Sequence, residues 1–270
     1  MKHSQIPEQE VARYWDENAN LWADHVRQGW DAYREYFNNP AFFEFIGDLS
    51  GKTVLDAGCG EGYNTRILAR SGAQMTGVDI SERMIELARQ EEQSEPLGIR
   101  YEVASFCDLS LFDDTSFDVV VSSMVLMDGP DFEGAVTEIF RVLRPGGELM
   151  FSITHPCFMT KGYGWIPDDE NAMRITVSDY FDRQPWVEHW RFSKGPIPEN
   201  TEPFAVPNFP RTLSDYLNAL IQAGFVLKRI EEPRPLQEIC EKHLWLQRWR
   251  DHAAMFLYVR AVKGEWGVSQ

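Results

Sequence analysis

Four cysteines in 270 residues, Cys59, Cys107, Cys157 and Cys240, are too few and too scattered for a disulfide framework or a four-ligand zinc centre. They read as reduced thiols, and His155 with Cys157 has no further ligand close by, so no metal is expected. Long apolar runs are lacking too. No stretch approaches the roughly 18 unbroken apolar residues of a membrane span, and the leading MKHSQIPEQEVARYW has no apolar segment of the signal-peptide kind. The expectation is a cytoplasmic protein with no membrane partner. Basic residues are also scarce: 26 Lys and Arg against 42 Asp and Glu leave a formal charge of −16, which disfavours a nucleic-acid backbone as partner. Repeats and low-complexity tracts are absent.

What is present is ordinary globular material, 43% hydrophobic and 25% charged, in an order that suggests a single domain over 1–270. Residues 1–50 carry Tyr14, Trp15, Leu21, Trp22 and Val26 at helical spacings and read as a helical cap. From Lys52 a short strand runs into Gly58, Gly60 and Gly62, and helical spacing resumes at Ile67 and Leu68. Gln74–Val78 is a second strand, after which Ser81 caps a helix carrying Met84, Ile85, Leu87 and Ala88. Further strands are expected at Arg100–Ala104, Phe117–Ser122 and Glu148–Thr154, with a helix from Phe132 to Leu143 before the last. This alternation predicts an α/β fold: a doubly wound, mostly parallel, seven-stranded sheet with helices on both faces. The rhythm stops between Thr154 and Arg211, so 155–210 reads as an irregular, aromatic lid inserted after strand five. The core, 51–154, resumes over 211–262 with a helix from Leu213 and strands at Phe225–Ile230 and Met255–Ala261.

The segment Val54-Leu55-Asp56-Ala57-Gly58-Cys59-Gly60-Glu61-Gly62 places glycines where a strand turns into a helix, letting a ligand approach the backbone without meeting Cβ atoms. Asp79, ending the second strand, is placed to accept hydrogen bonds from a ribose diol. An acid before the first glycine and alternating glycines set this apart from the GxGxxG dinucleotide pattern. Gly51-Lys52-Thr53 is no phosphate loop, because Ile46 stands where that motif needs its first glycine and the segment precedes a strand.

VLDAGCGEG, GVDIS, FDVVVSS and RVLRPGG occur in that order, and on these motifs the sequence resembles the class I S-adenosylmethionine-dependent methyltransferases over most of 50–155. The resemblance implies S-adenosylmethionine as cofactor and S-adenosylhomocysteine as its product. It implies Asp56, Gly58 and Gly60 around the methionine portion, Asp79 on the ribose hydroxyls, and Ile80 and Met84 against the adenine. The family usually places an acid after strand three for the adenine amino group. Ser105-Phe106-Cys107-Asp108-Leu109 leaves that register open, with Asp108 taken for the contact and Phe106 as a neighbour of the ring. Ser122, Ser123 and Met124 are expected to face the methionine amino group or the sulfonium. The N-terminal helices are implied to close over the cofactor, with Tyr14, Trp15, Tyr33 and Arg34 as candidates.

Ligands of open α/β sheets bind beyond the carboxyl ends of the strands, so Met124–Asp128 and His155 are expected to flank the reaction centre. Methyl transfer from a sulfonium needs alignment and exclusion of water. A protonated acceptor also needs to lose a proton, for which His155, with an ordinary pKa near ~6.5, and then Asp128 are the candidates. A structural hydrogen-bonding histidine and a turn-initiating aspartate are the competing readings. The aromatic residues of 158–209 suggest a small, partly aromatic or apolar methyl acceptor, modified on oxygen, nitrogen or sulfur.

Overall fold

A computed structural model describes residues 6–167, 173–192 and 202–264. Parts of the expected cap (1–5) and lid (168–172, 193–201) and the final residues 265–270 lie outside them. Eight α-helices are described: α1 (Glu8–Arg27), α2 (Asn39–Ile46), α3 (Tyr63–Arg70), α4 (Glu82–Ser94), α5 (Phe132–Val142), α6 (Leu213–Gln222), α7 (Gln237–Lys242) and α8 (Gln247–Asp251). The main sheet is built from β1 (Thr53–Ala57), β2 (Gln74–Asp79), β3 (Arg100–Val103), β4 (Phe117–Ser123), β5 (Leu143–Thr154), β10 (Phe225–Glu231) and β11 (Phe256–Lys263).

These seven strands lie in the order β10-β11-β5-β4-β1-β2-β3. β3 to β5 pair in parallel, and β11 runs antiparallel to both β5 and β10. The expected mostly parallel, seven-stranded sheet is therefore the observed one. Strict alternation buries both of its faces. Val54, Val119, Val121 and Met150 point to the side covered by α2, α3 and α4, whereas Leu55, Val120, Leu149 and Phe151 point to α5 and α6. The chain steps from β1 out to β3 and then returns to β4, on the other flank of β1. The carboxyl ends of β1 and β4 thus border the switch-point crevice, where open α/β sheets take ligands.

Two stretches depart from expectation. The inserted segment is not irregular: β6 (Gly164–Pro167) pairs with β7 (Met173–Thr176), and β8 (Trp186–Trp190) pairs with β9 (Phe204–Asn208), both antiparallel. In the second hairpin Trp190 sits opposite Phe204 and Glu188 opposite Val206, a period of two that the prolines and charges around it obscure. This hairpin is also no detached lid. Trp22 of α1 lies edge-on to Trp190 at 5.6 Å and to Phe204 at 5.3 Å, and Asn18 donates to the Ala205 carbonyl at 2.9 Å. The second departure is the stretch after β10. It forms α7, a 3₁₀ turn (Leu244–Leu246) and α8, which bury Cys240, Leu246 and Trp249 in the core. No helix among the described residues is long and apolar enough to cross a membrane.

Candidate active site

A cavity of about 440 Å³ opens at the switch point, between the glycine turn, α1, the end of β4 and the β8–β9 hairpin. The turn after β1 is held by the sheet itself: Gly58 N–H and Cys59 N–H both donate to the Val78 carbonyl, at 2.8 and 2.9 Å. Gly58 and Gly60 adopt φ of +83° and +55°, which glycine tolerates and most residues do not. Their surroundings differ. A Cβ on Gly58 would lie 2.2 Å from Val125 Cγ1, so this glycine makes room for a protein neighbour, whereas a Cβ on Gly60 would meet nothing within 4 Å.

Asp79 lines the cavity and is organised by two backbone donors, Gly60 N–H to Oδ2 at 2.9 Å and Ser81 N–H to Oδ1 at 2.9 Å. Asp56, buried behind the turn, accepts from the Thr65 hydroxyl at 2.6 Å. Desolvation pushes both carboxyls up to about 6, against the opposing effect of these hydrogen bonds. Arg34 reaches in from the N-terminal segment. One of its nitrogens donates to Asn64 Oδ1 at 3.2 Å, and its guanidinium lies 4.7 Å from the centre of the Tyr63 ring. Its buried Nε and the buried Oε1 of Glu61 have no hydrogen-bond partner among the described residues, and both side chains line the cavity. An unpaired cationic donor and an unpaired anionic acceptor beside an open glycine suit a ligand carrying a carboxylate and an ammonium group. That is the chemistry of the amino-acid end of S-adenosylmethionine.

Of the residues singled out in the sequence, Trp15, Tyr33, Arg34, Asp56, Gly58, Gly60, Asp79, Ile80, Met84, Phe106, Ser123, Met124 and Asp128 all line this cavity. Met124 holds a left-handed φ of +61° at the end of β4, strain of the kind found where a chain turns away beside a ligand. Four expectations need correcting. Ser105 anchors a tight turn, accepting from Cys107 N–H on its side chain and from Asp108 N–H on its carbonyl; this carries Asp108 to the surface, where it caps Ser110 N–H at 3.1 Å. Asp108 lines a separate open depression with Ser110, Asp113 and Glu138. Ser122 points to the opposite side of β4 from Ser123 and donates to the Ala57 carbonyl at 2.7 Å. Tyr14 lies outside the cavity, under the Arg13 guanidinium. His155 is buried, but both ring nitrogens are engaged away from the cavity: Cys157 N–H donates to Nδ1 at 3.2 Å, so Nε2 carries the hydrogen towards Glu232, 2.8 Å away. Burial lowers its pKa although Glu232 opposes this, and the two hydrogen bonds match the competing reading of a hydrogen-bonding histidine.

Asp128 behaves differently. It is 7% exposed, its carboxyl pKa is raised well above the ordinary value by burial and then by the charge of Glu188, and nearby Arg211 offsets this only in part. Burial therefore disfavours its ionised form in the free protein. Several cavity residues carried no earlier signal. Glu8, at the start of α1, pairs with the Ser105 hydroxyl across 97 positions of sequence, and Glu188 and Asn208 arrive on the hairpin. Glu61 was visible inside the glycine turn, but nothing in its spacing marked it as unpaired.

The model for the methyltransferase domain matches residues 55–151. A ubiquinone biosynthesis O-methyltransferase of Coxiella burnetii is 30% identical over 164 residues, spanning 58% of this chain and 70% of that protein. The protein of the same name from Xanthomonas oryzae is 34% identical over 117 residues, or 42% and 49% of the two chains. Among solved structures, an S-adenosylmethionine-dependent methyltransferase from Mesorhizobium loti superimposes with a TM-score of 0.68 at 29% identity, covering 83% of this chain and 96% of that one. Sheet order, glycine turn and these likenesses agree: the chain belongs to the class I S-adenosylmethionine-dependent methyltransferases, enzymes whose cofactor is S-adenosylmethionine.

Proposed function

We propose that this enzyme methylates an oxygen, nitrogen or sulfur of a small, partly aromatic or apolar molecule. The observation that carries the reading is that one cavity is lined both by the glycine turn and by Trp22, Trp190, Phe192 and Met127. Such walls suit a compact apolar body better than a charged polymer. The name of the Coxiella burnetii relative, an O-methyltransferase of ubiquinone biosynthesis, lends support to a small-molecule acceptor.

In this reading S-adenosylmethionine supplies a methyl group on a sulfonium, transferred in line. Asp79 takes the ribose hydroxyls, and Ile80, Met84 and Phe106 take the adenine. Arg34 and Glu61 take the carboxylate and ammonium of the methionine portion, beside Gly60 and Asp56. Glu8, held against Ser105, stands in for the acid expected after strand three and accepts from the adenine amino group. Ser123 and Met124 border the sulfonium, while the N-terminal helix and the β8–β9 hairpin keep water out as parts of one domain. The test is incubation of the enzyme with isotopically methyl-labelled cofactor and a cell extract. Label is expected in the small-molecule fraction. Label confined to protein or nucleic acid contradicts the proposal.

A further inference from the structure

Beyond the cofactor residues, the cavity ends at two carboxyls on different elements: Asp128, just past β4, and Glu188, in the middle of β8. Asp128 is more than nine-tenths buried, lines the cavity and has no side-chain hydrogen-bond partner among the described residues. Glu188 receives one long hydrogen bond, from Asn208 Nδ2 at 3.4 Å. Arg211, the cation behind Asp128, is committed elsewhere: it donates to the Gly129 carbonyl at 2.7 Å and lies over the rings of Phe132 and Tyr216. Arg191, beyond the end of β8, also lines the cavity but keeps much of its side chain in solvent. A buried carboxyl and a second, more exposed one on the same cavity repel each other, and a cation between them offsets that repulsion. Trp22, Trp190 and Tyr163 line the same cavity, and aromatic rings attract cations.

We propose that the methyl acceptor is a primary or secondary amine that enters as its ammonium, with nitrogen between Asp128 and Glu188 and its apolar body against the aromatic rings. This rests on the small-molecule reading above and narrows it to nitrogen. The same geometry provides the proton step that an ammonium needs. One N–H bond breaks, its electron pair stays on nitrogen as the lone pair, and the proton passes to an Asp128 carboxylate oxygen. A neutral amine and a neutral acid replace the ion pair, and burial favours that exchange because it removes two charges from a poorly solvated chamber. The lone pair is then available for methyl transfer, and Asp128 later returns its proton to water.

Calorimetry on the full chain saturated with S-adenosylhomocysteine tests this with 2-phenylethylamine, its N-methyl derivative and the neutral 2-phenylethanol. The amines are expected to bind about ten-fold or more tightly than the alcohol, and labelled cofactor is expected to yield the N-methylated amine. Asp128→Asn should abolish the preference while S-adenosylhomocysteine still binds. Glu188→Gln, on the hairpin surface, should weaken it in the same direction and covers the case of an unstable Asp128 variant. Equal binding of amine and alcohol, or methylation of a hydroxyl in place of nitrogen, overturns the amine assignment and leaves the small-molecule reading standing. Failure of every probe to bind also overturns it. The broader reading falls separately, if labelled methyl enters only macromolecules.

Discussion

Gly58→Val is expected to abolish cofactor binding, and the cause is a protein contact. At φ +83° a β-branched residue is strained from the outset. Its Cβ would also lie 2.2 to 2.9 Å from three atoms of the Val125 side chain, far inside contact distance. Val125 follows the strained Met124 at the end of β4, so it cannot yield without moving the wall shared by the cofactor and acceptor ends of the cavity. The turn would have to lift off β2, breaking the two hydrogen bonds that Val78 accepts. A loss of affinity for S-adenosylhomocysteine of at least about 100-fold, some 3 kcal/mol, is the expected calorimetric result. Retained binding in a folded Gly58→Val variant would mean that the turn is not rigid.

Asp79→Ala should weaken S-adenosylhomocysteine binding by about 1.5 to 3 kcal/mol, roughly 10- to 150-fold, because a charged acceptor for the ribose hydroxyls is removed. The wild-type protein adds a pH signature. With its pKa at about 6 in the free protein, Asp79 carries a proton over part of the acidic range. Hydroxyl donors stabilise the ionised form, so the pKa falls on binding and protons are released. Affinity should therefore rise from about pH 5 to about pH 7 and then level off. Asp56 also titrates at about 6, so Asp79→Ala should reduce this dependence without erasing it. An unchanged affinity and pH profile in the variant would remove Asp79 from the ribose.

The parts of this molecule that local sequence determines were readable in advance. β1, the glycine turn and Asp79 follow one another within 27 residues, and each is fixed by neighbours in sequence, so strand, turn and acid were all visible. Asp108 and His155 were misplaced for a related reason. Each lies a residue or more past the last predictable position of a strand, and a single turn decides which way it faces. The turn around Ser105 sends Asp108 outward, and the Cys157 amide and Glu232 fix the His155 ring away from the cavity. Pairs such as Glu8 with Ser105, or Asp128 with Glu188, depend on how α1 and the β8–β9 hairpin pack against the sheet. No spacing within one segment encodes such a meeting.

A crystal structure of the enzyme with S-adenosylhomocysteine tests the central claim most directly, namely that one cavity holds the cofactor at the glycine turn and leaves the Asp128–Glu188 end for the acceptor. The predicted result has the ribose hydroxyls on Asp79, the amino-acid end at Arg34 and Glu61, the adenine beside Met84 and Phe106, and the sulfur facing open space towards Asp128. A cofactor whose ribose lies away from Asp79, or whose sulfur points away from Asp128, would contradict it.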